Sequence, residues 1–302
     1  MRKLFLLFLV CLTSILAFGQ AESAAQPENR SVNDSAPPML GTYWAQGVLP
    51  PARKPPSPDM VWNRGEIMPT ANVHVIFWGP RWSDPVFAAD KITGMDTFYL
   101  GFGGSGYAHA SNEYTGTNGQ VTSAVTYTGY STDTTTAVGG GNTAAILSEV
   151  CRVIGSGAVH NGFYPVYVDL PRGTNDHYCG YHSAGTCNGV IVQFAFIWNL
   201  DGDRCGDPND TLGLHSQGLD TIANVSAHEF SEARTNPNNG GWRNTQGYET
   251  ADICGSPSPI PHDFVTFSNG SRWKLQALWS NHAYDTGTGY PDSAGELGCI
   301  DN

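Results

Sequence analysis

Short apolar runs that are rich in β-branched and aromatic residues predict the strands of this chain. The runs are Val73–Trp78, Tyr164–Leu170 and Val190–Trp198, with a weaker one at about 121–127. The run Val190–Trp198 is the most apolar one after the N-terminal segment, and its length and composition favour a central strand over a helix. Segments 175–188 and 201–215 are interpreted as loops, and the first of them carries two cysteines.

Apolar residues at helical spacing predict three helices between these strands. We expect them at about 85–100, 143–154 and 219–235. Ile146, Val150 and Val153 share one face of the second helix, and Pro237 closes the third. Because helices and strands intermix along the chain, the expected fold class is α+β or mixed α/β, with a central mixed sheet and flanking helices.

The first 19 residues have the pattern of a secretory signal peptide. Arg2 and Lys3 precede an apolar stretch from residue 4 to 16, and small residues for cleavage follow at its end. The stretch is short for a membrane span, and no later run approaches the roughly 18 apolar residues of a spanning helix. We therefore expect a secreted protein, periplasmic or extracellular, with no membrane span after signal cleavage.

Residues 20–70 have the composition of a proline-rich leader. Nine prolines lie there, including the pairs Pro37-Pro38, Pro50-Pro51 and Pro55-Pro56. Proline lacks the backbone N–H that ladders and helices need, so we expect this stretch to be extended or disordered. Regular structure is expected to begin at Val73, and residues 71–302 are expected to form a single globular, catalytic-like domain.

The negative net charge of the chain disfavours polyanions as binding partners. The full chain has 15 basic and 27 acidic residues and a net charge of −12. Cleavage after residue 19 removes Arg2 and Lys3, which leaves 13 basic residues and a net charge of −14. No cluster of Lys and Arg offsets this charge, so neither nucleic acid nor an anionic membrane surface is an expected partner.

Six cysteines remain once the signal peptide and its Cys11 are removed. They are Cys151, Cys179, Cys187, Cys205, Cys254 and Cys299. An even number in an exported protein predicts disulfides that stabilise loops, and six cysteines allow 15 pairings. Cys254 and Cys299 are candidates for a C-terminal pair. No C-x-x-C spacing is present, which disfavours a cysteine metal site.

The sharpest chemical motif is His228-Glu229-Phe230-Ser231-Glu232 on the third expected helix. Residues i and i+4 share a helix face, so His228 and Glu232 could hold one metal ion. Glu229 lies about 100° around the helix and could act as general base on a metal-bound water. The spacing on this zincin-like helix is that of the H-E-x-x-H zinc hydrolases, with a glutamate in place of the second histidine. Zn²⁺ accepts both nitrogen and oxygen ligands. The alternative is a surface helix with solvated acids.

A catalytic zinc site also needs a third protein ligand and a group that orients the histidine. Glu249 and Asp252 lie three residues apart, and on a helical turn they would share a face. We expect Glu249 to complete the metal triad with His228 and Glu232, and Asp252 to accept the other N–H of His228. The alternative is a turn with ordinary surface acids.

Several short motifs of the chain occur together in one known family. They are Ala227–Ala233 with Thr235-Asn236-Pro237, Gly241-Trp242, Gly247-Tyr248-Glu249, Ala251–Cys254 and, upstream, Val73–Gly79, Tyr164–Leu170, Cys179–His182 and Phe194–Trp198 with Cys205. This set resembles bacterial relatives of the phosphate-induced protein 1/EXORDIUM family over roughly residues 70–302. The resemblance implies a secreted or cell-wall-associated protein, and bacterial members that keep H-E-x-x-E look like metallohydrolases. Asn236 stands where many relatives have Asp, so it is assigned no metal role.

Two weaker candidates for metal sites lie in the expected loops. They are the histidine pair His177 and His182, and the acidic group Asp201, Asp203, Asp207 and Asp210. Loop histidines are more often hydrogen-bonding groups than ligands. The acidic loop suits Ca²⁺, but Leu212 occupies the position of the bidentate glutamate of an EF-hand, so a solvated acidic turn is the favoured interpretation.

The leading hypothesis is an exported zinc-dependent hydrolase, most specifically a peptidase, whose metal-activated water attacks the substrate. The alternative is a non-catalytic extracellular module that binds a cell-wall polysaccharide or a surface partner. Aromatic residues such as Trp242, Trp273 and Trp279 could stack on sugars in such a module. A purely structural metal is a third possibility.

Overall fold

A computed structural model of the chain describes residues 36–45, 59–203, 205, 207–255 and 263–302. The expected signal peptide and most of the proline-rich leader lie outside these ranges. In chain order the strands are β1 Leu40–Trp44, β2 Val61–Trp62, β3 Ala71–Trp78, β4 Thr115–Gly116, β5 Gly119–Gln120, β6 Val125–Asp133, β7 Gly162–Pro171, β8 Tyr178–Cys187, β9 Val190–Asn199, β10 Trp242–Arg243, β11 Asp263–Thr266, β12 Arg272–Leu275, β13 Leu278–Trp279, β14 Tyr290–Pro291 and β15 Leu297–Ile300. The α-helices are α1 Pro85–Ala88, α2 Lys91–Phe102, α3 Gly106–His109, α4 Thr143–Ile154, α5 Gln217–Thr235, α6 Asp252–Gly255 and α7 Asn281–Thr286, and 3₁₀-helices cover Pro80–Ser83 and Gly155–Gly157.

A mixed six-stranded sheet in the order β1-β8-β9-β7-β3-β6 forms the centre of the fold. Strands β6, β3, β7 and β9 are parallel to one another, whereas β8 runs antiparallel to β9 and β1 antiparallel to β8. The predicted α+β class with a central mixed sheet and flanking helices is confirmed. The three predicted apolar strands form most of β3, β7 and β9, and β9 is buried from Val192 to Asn199.

The prediction of a loop at 175–188 is wrong, because most of this segment is β8. The strand reads YCGYHSAGTC, a composition with little intrinsic β preference. Its order comes from pairing on both sides, with β9 and with β1. The turn to β9 is Asn188-Gly189, with φ of 53° and 81°, which is the two-residue geometry that favours a tight hairpin.

The prediction that regular structure begins at Val73 is also wrong. Residues Leu40–Trp44 of the proline-rich leader form β1, and Val61–Trp62 form β2, which pairs with β10. Pro37 and Pro38 lie just before β1, separated from it by Met39, and β1 lies at the edge of the sheet, where a missing N–H can be tolerated. The leader is thus extended over Leu40–Trp44, as expected, but this part of it belongs to the central sheet.

The helices follow the predictions with one interruption. Helix α4 covers the predicted range 143–154, and α5 extends the predicted 219–235 by two residues. The expected helix at 85–100 is split into α1 and α2 at Ala89, whose φ is 45°. The weak strand expected at 121–127 lies further along the chain, as β6. Within the described residues, no helix combines the length and apolar character needed to cross a membrane.

Helix α5 is buried along almost its whole length, from Gly218 to Thr235. Its side chain Phe230 contacts the rings of Phe163 and Phe102, at centroid distances of 4.5 and 4.8 Å. On another face, Val225 approaches β8 so closely that a Cβ on Gly180 would lie 2.8 Å from Val225 Cγ1. These contacts fix the rotation of α5, and the rotation sets where the polar residues of the H-E-x-x-E motif point.

Three disulfides involve all six cysteines of the expected mature chain. The pairs are Cys151–Cys187, Cys179–Cys205 and Cys254–Cys299. The first joins α4 to the end of β8, the second joins the start of β8 to the segment after β9, and the third joins α6 to β15. The prediction of a disulfide framework and the candidate C-terminal pair are both confirmed.

Removal of the C-terminal disulfide by Cys254→Ala with Cys299→Ala is expected to lower the free energy of unfolding. The two cysteines are 45 residues apart, and closing a loop of this length in the unfolded chain contributes about 4 kcal/mol. Urea unfolding of the variant and the wild type, both under non-reducing conditions, measures the difference. Equal stability of the two proteins would contradict a stabilising role for this pair.

Candidate metal centre

The two predicted ligands on α5 lie together. His228 and Glu232 are one helical turn apart, and Nε2 of His228 is 3.2 Å from Oε1 of Glu232. Their side chains are 2% and 0% exposed. Although this pair is within ion-pair distance, Nε2 of His228 makes no hydrogen bond to any residue that the structure describes. Its lone pair or proton therefore points into a group of acidic oxygens without a satisfied partner.

A second histidine, His182, which the sequence offered only as a weaker candidate together with His177, faces the same cluster from β8. Nε2 of His182 is 3.1 Å from Oε2 of Glu249, and both residues are buried. His182 was interpreted as a loop residue because β8 was not recognised. The Asn188-Gly189 turn signal before the apolar run of β9 would have identified β8 and its inward-facing positions.

The structure brings Glu249 to His182 rather than into one group with His228. Two sets of ligand atoms lie within 4.8 Å of one another, namely His182 with Glu232 and Glu249, and His228 with Glu229 and Glu232. Glu232 belongs to both sets. The predicted triad of His228, Glu232 and Glu249 is therefore divided over two adjoining groups.

Asp252 lies at the cluster, but not in the position expected for it. Its Oδ1 is 3.6 Å from Nε2 of His228, the same nitrogen that faces Glu232. The other ring nitrogen, Nδ1, is 3.3 Å from Oε1 of Gln276, and Nε2 of Gln276 donates to the carbonyl of Ala251 at 2.7 Å, which fixes the orientation of the amide. Gln276 thus takes the orienting role predicted for Asp252, and leaves Nε2 of His228 free to act as a ligand.

Backbone groups hold the carboxylates in place. The N–H of Asp252 donates to Oε1 of Glu232 at 3.1 Å, and the N–H of Glu249 donates to Oδ2 of Asp252 at 2.8 Å. The N–H of Tyr43, on β1, donates to Oε1 of Glu229 at 3.0 Å. Strand β1 thereby contacts the residue predicted to be the general base.

Strand β1 also covers the cluster. A Cβ on Gly41 would lie 2.0 Å from Oε2 of Glu232 and 2.7 Å from Nε2 of His182, and the φ of Gly41 is 32°. The ring of Tyr43 packs edge-on against His228 at 4.7 Å. As a result, His182, His228, Glu229, Glu232 and Glu249 are each at most 3% exposed. Only glycine allows the backbone to approach the cluster this closely.

The electrostatics of the cluster disfavour its charged forms. Burial raises the pKa of Glu229, Glu232 and Asp252 well above the usual range, and a neighbouring carboxylate raises each of them further. Burial also lowers the pKa of His228. A divalent cation would oppose these shifts, since it stabilises carboxylates in their charged form and imidazole in its neutral form.

The cluster has the composition of a metal site. Three buried polar atoms of the cluster have no hydrogen-bond partner among the described residues: Nε2 of His228, Oε2 of Glu229 and Oε2 of Glu232. Buried polar atoms are normally satisfied, so this concentration indicates a missing partner. Imidazole nitrogens and carboxylate oxygens are ligands of Zn²⁺ and of other first-row divalent ions. The residues can hold a metal ion, and the donor set alone does not distinguish among these metals.

The acidic loop expected as a weak Ca²⁺ site uses its four carboxylates separately. Asp201 forms an ion pair with Lys91 at 2.5 Å. Asp203 accepts two hydrogen bonds from the guanidinium of Arg172, at 3.0 and 3.1 Å, in a bidentate pair. Asp207 accepts from the N–H of Asn209. Asp210 accepts from four successive backbone N–H groups, those of residues 212–215. Within the described part of this loop, the four acids shape the chain rather than converge on one point.

No protein-family model matches the chain, and no curated protein or solved structure shows significant similarity to it. The resemblance to the phosphate-induced protein 1/EXORDIUM family therefore depends on the sequence motifs alone. Three of these motifs, Cys179–His182, Ala227–Ala233 and the segment from Gly247 to Cys254, contribute the residues of the cluster.

The close approach of β1 predicts a specific effect of Gly41→Ala. The added Cβ needs the space of Oε2 of Glu232, so the carboxylate or the strand has to shift. We expect the affinity for Zn²⁺ to fall about tenfold or more, as when groups that orient ligands are removed. Isothermal titration of the chelator-treated protein with Zn²⁺ measures this affinity.

The matched control is Gly155→Ala. Gly155 also has a positive φ, 52°, but a Cβ there would meet open space. This variant has the backbone strain without the collision, so its Zn²⁺ affinity is expected to equal that of the wild type. An equal affinity for Gly41→Ala would show that β1 does not constrain the ligands.

Asp220, in the first turn of α5, predicts a pH dependence of stability. Burial raises its pKa to about 7, and the charge of Asp210 adds to the effect. The folded protein then keeps a proton that the unfolded chain releases between about pH 4 and 7, so the free energy of unfolding falls as the pH rises through this range. Asp220→Asn removes this contribution while its amide oxygen can still accept from the N–H of Asp210.

We expect the difference in free energy of unfolding between Asp220→Asn and the wild type to shift by about 3 kcal/mol in favour of the variant from pH 4 to pH 8. Urea unfolding at both pH values, with chelator present, measures the gain. The control is Asp285→Asn, which changes an exposed carboxylate. Parallel pH dependences of Asp220→Asn and the wild type would contradict the prediction.

Proposed function

We propose that the protein is a secreted metal-dependent hydrolase, and specifically a peptidase. The observation that carries the proposal is the geometry of α5. His228 and Glu232 lie in a buried group of metal-ligand type together with Glu229, whose Oε2 has no hydrogen-bond partner among the described residues. This is the arrangement that a hydrolase needs to hold a metal and to place a base next to it.

Helix α5 would supply two ligands and the base, and the further ligands would come from β8 and from the segment before α6. His228 and Glu232 would hold the metal from α5, and Glu249 and His182 would contribute from the far side of Glu232. A bound divalent metal supplies Lewis acidity, which polarises a carbonyl group and lowers the pKa of water. Glu229 would take the proton from the attacking water and pass it to the leaving amine. Gln276 would keep the ring of His228 in the orientation for ligation.

The position of β1 supports a peptide as substrate. Leu40–Trp44 is an extended segment that pairs antiparallel with β8 and donates a main-chain N–H to Glu229. A peptide strand can therefore lie along this edge with its backbone at the metal ligands, in the mode of strand addition to a sheet. In the described conformation β1 itself occupies this place, so a substrate requires β1 to move away.

The proposed location rests on sequence and disulfides together. Three disulfides and the lack of a spanning helix among the described residues are compatible with an extracellular protein. The signal-peptide pattern of residues 1–19 and the family resemblance point in the same direction. Periplasmic or extracellular export, and kinship with the phosphate-induced protein 1/EXORDIUM family, are therefore part of the proposal.

The alternative of a polysaccharide-binding module receives less support. Trp273 and Trp279 are 0% exposed and pack in the interior. Trp242 is partly buried against Tyr114, with ring centroids 5.2 Å apart, and its Nε1 donates to the carbonyl of Thr115. Two of the three tryptophans named for sugar stacking are fully buried and the third packs against Tyr114, so we do not propose this function.

The decisive variant is Glu229→Gln, which keeps the shape of the side chain but removes its basicity. We expect metal content to be unchanged and metal-dependent peptide hydrolysis to fall at least about 100-fold, since general-base catalysis contributes a factor of this order. Hydrolysis of an unfolded protein substrate is followed with and without chelator. Because β1 covers the site, the assay is run before and after cleavage at a protease site inserted between Ala45 and Asp59.

The control is Glu66→Gln, which changes an exposed glutamate outside the cluster. This variant should match the wild type in both metal content and hydrolysis. Full activity in Glu229→Gln would exclude Glu229 as the base. Absence of chelator-sensitive hydrolysis in both the intact and the cleaved protein would contradict the peptidase function itself.

A further inference from the structure

We infer that the cluster is a centre for two divalent cations, with the carboxylate of Glu232 between them. The inference deepens the proposed function, because it rests on the same metal-binding residues. It goes beyond one metal on the H-E-x-x-E helix, and it assigns His182 and Glu249 to a cation of their own.

The two oxygens of Glu232 lie near different histidines. Oε1 is the oxygen near His228, at 3.2 Å from Nε2. Oε2 and Nε2 of His182 both border the position of the missing Cβ of Gly41, at 2.0 and 2.7 Å, and Oε2 has no hydrogen-bond partner. A carboxylate that presents one oxygen to each of two histidines has the geometry of a bridge rather than of a ligand to a single ion.

Each side has its own histidine and its own additional acid. On the first side, Nε2 of His228 has Oδ1 of Asp252 at 3.6 Å. On the second side, Nε2 of His182 has Oε2 of Glu249 at 3.1 Å. The two histidines do not fall in one ligand group, whereas Glu232 falls in both. One cation on each side of Glu232 therefore uses the ligands where they already lie.

The charge of the cluster supports the same stoichiometry. Four carboxylates, those of Glu229, Glu232, Glu249 and Asp252, lie around two imidazoles, and no Lys or Arg side chain forms an ion pair with any of them in the described residues. With all four ionised and both histidines neutral, a single divalent cation leaves two uncompensated negative charges in a buried site. Two divalent cations balance the charge, and uncompensated buried charge is strongly unfavourable.

Two cations at the site would each stabilise a different atom of the reaction. Paired metals about 3.5–4 Å apart stabilise both the attacking and the leaving atoms of a displacement. Glu229 lies in one ligand group with His228 and Glu232, and its Oε2 has no hydrogen-bond partner among the described residues, so it would remain available as the base. The ligand atoms, carboxylate oxygen and imidazole nitrogen, suit Zn²⁺ or Mn²⁺.

The test counts bound metal in the full disulfide-bonded chain. The protein is stripped with chelator, saturated with Zn²⁺, freed of unbound metal and analysed for its elements. We expect about two Zn²⁺ per chain in the wild type and about one in each of His182→Ala and His228→Ala. His282→Ala removes an exposed imidazole and serves as the control, with about two Zn²⁺.

A spectroscopic measurement on the wild type tests the two-cation centre without variants, so its result does not depend on whether a variant folds. Mn²⁺ ions bridged by one carboxylate couple magnetically, so the Mn²⁺-loaded protein is expected to give an exchange-coupled electron paramagnetic resonance spectrum rather than that of isolated Mn²⁺. One Zn²⁺ per chain with the spectrum of isolated Mn²⁺ would overturn the two-cation centre and leave the single-metal hydrolase standing. No bound metal would overturn both.

Discussion

The burial of acidic side chains next to histidines, between α5, β8 and the turn before α6, is the constraint on which the rest of the structure depends. Ionised carboxylates in a dry interior cost several kcal/mol each unless hydrogen bonds or cations offset the loss of water. The chain offsets part of this cost with main-chain donors, from Tyr43 to Glu229 and from Asp252 to Glu232. Nε2 of His228 and one oxygen each of Glu229 and Glu232 have no hydrogen-bond partner among the described residues, so part of this cost remains within the cluster.

The scaffold around this point is built from contacts that fix α5 from several sides. Phe230 locks the helix against the aromatic core, while Val225 sits over Gly180 of β8. The disulfides then hold the neighbouring elements: one ends at Cys179 on β8, three residues before His182, and another at Cys254, two residues after Asp252. Both segments that bring His182 and Asp252 to the cluster are therefore tied covalently to the rest of the fold, which limits their motion.

The parts of the site that follow from local spacing could be predicted from the sequence, and the parts that depend on distant pairing could not. His228 and Glu232 are four residues apart on a helix, so their proximity is a property of the helix alone. Glu249 was expected near the cluster because a zinc site needs a third ligand, but its pairing with His182 does not follow from local spacing. His182 reaches the cluster only because a glycine- and serine-containing segment is ordered as β8 by its neighbours. The contribution of Tyr43 and Gly41 could not be predicted for a similar reason. They lie in a strand within a proline-rich segment, and the partner of that strand lies about 140 residues away in the chain.

Strand β1 connects the edge of the sheet to the chemistry of the cluster. Its pairing with β8 uses main-chain groups, and such pairing is largely indifferent to side-chain identity. The exception is position 41, where Glu232 and His182 leave no room for a Cβ. In β1, Gly41 lies two residues before Tyr43, whose N–H donates to Glu229. A peptide that bound along the same edge of β8 and donated one N–H to Glu229 would have the same lack of space for a Cβ two residues before that N–H. The arrangement that requires glycine in β1 would therefore impose a preference for glycine at the matching position of such a peptide.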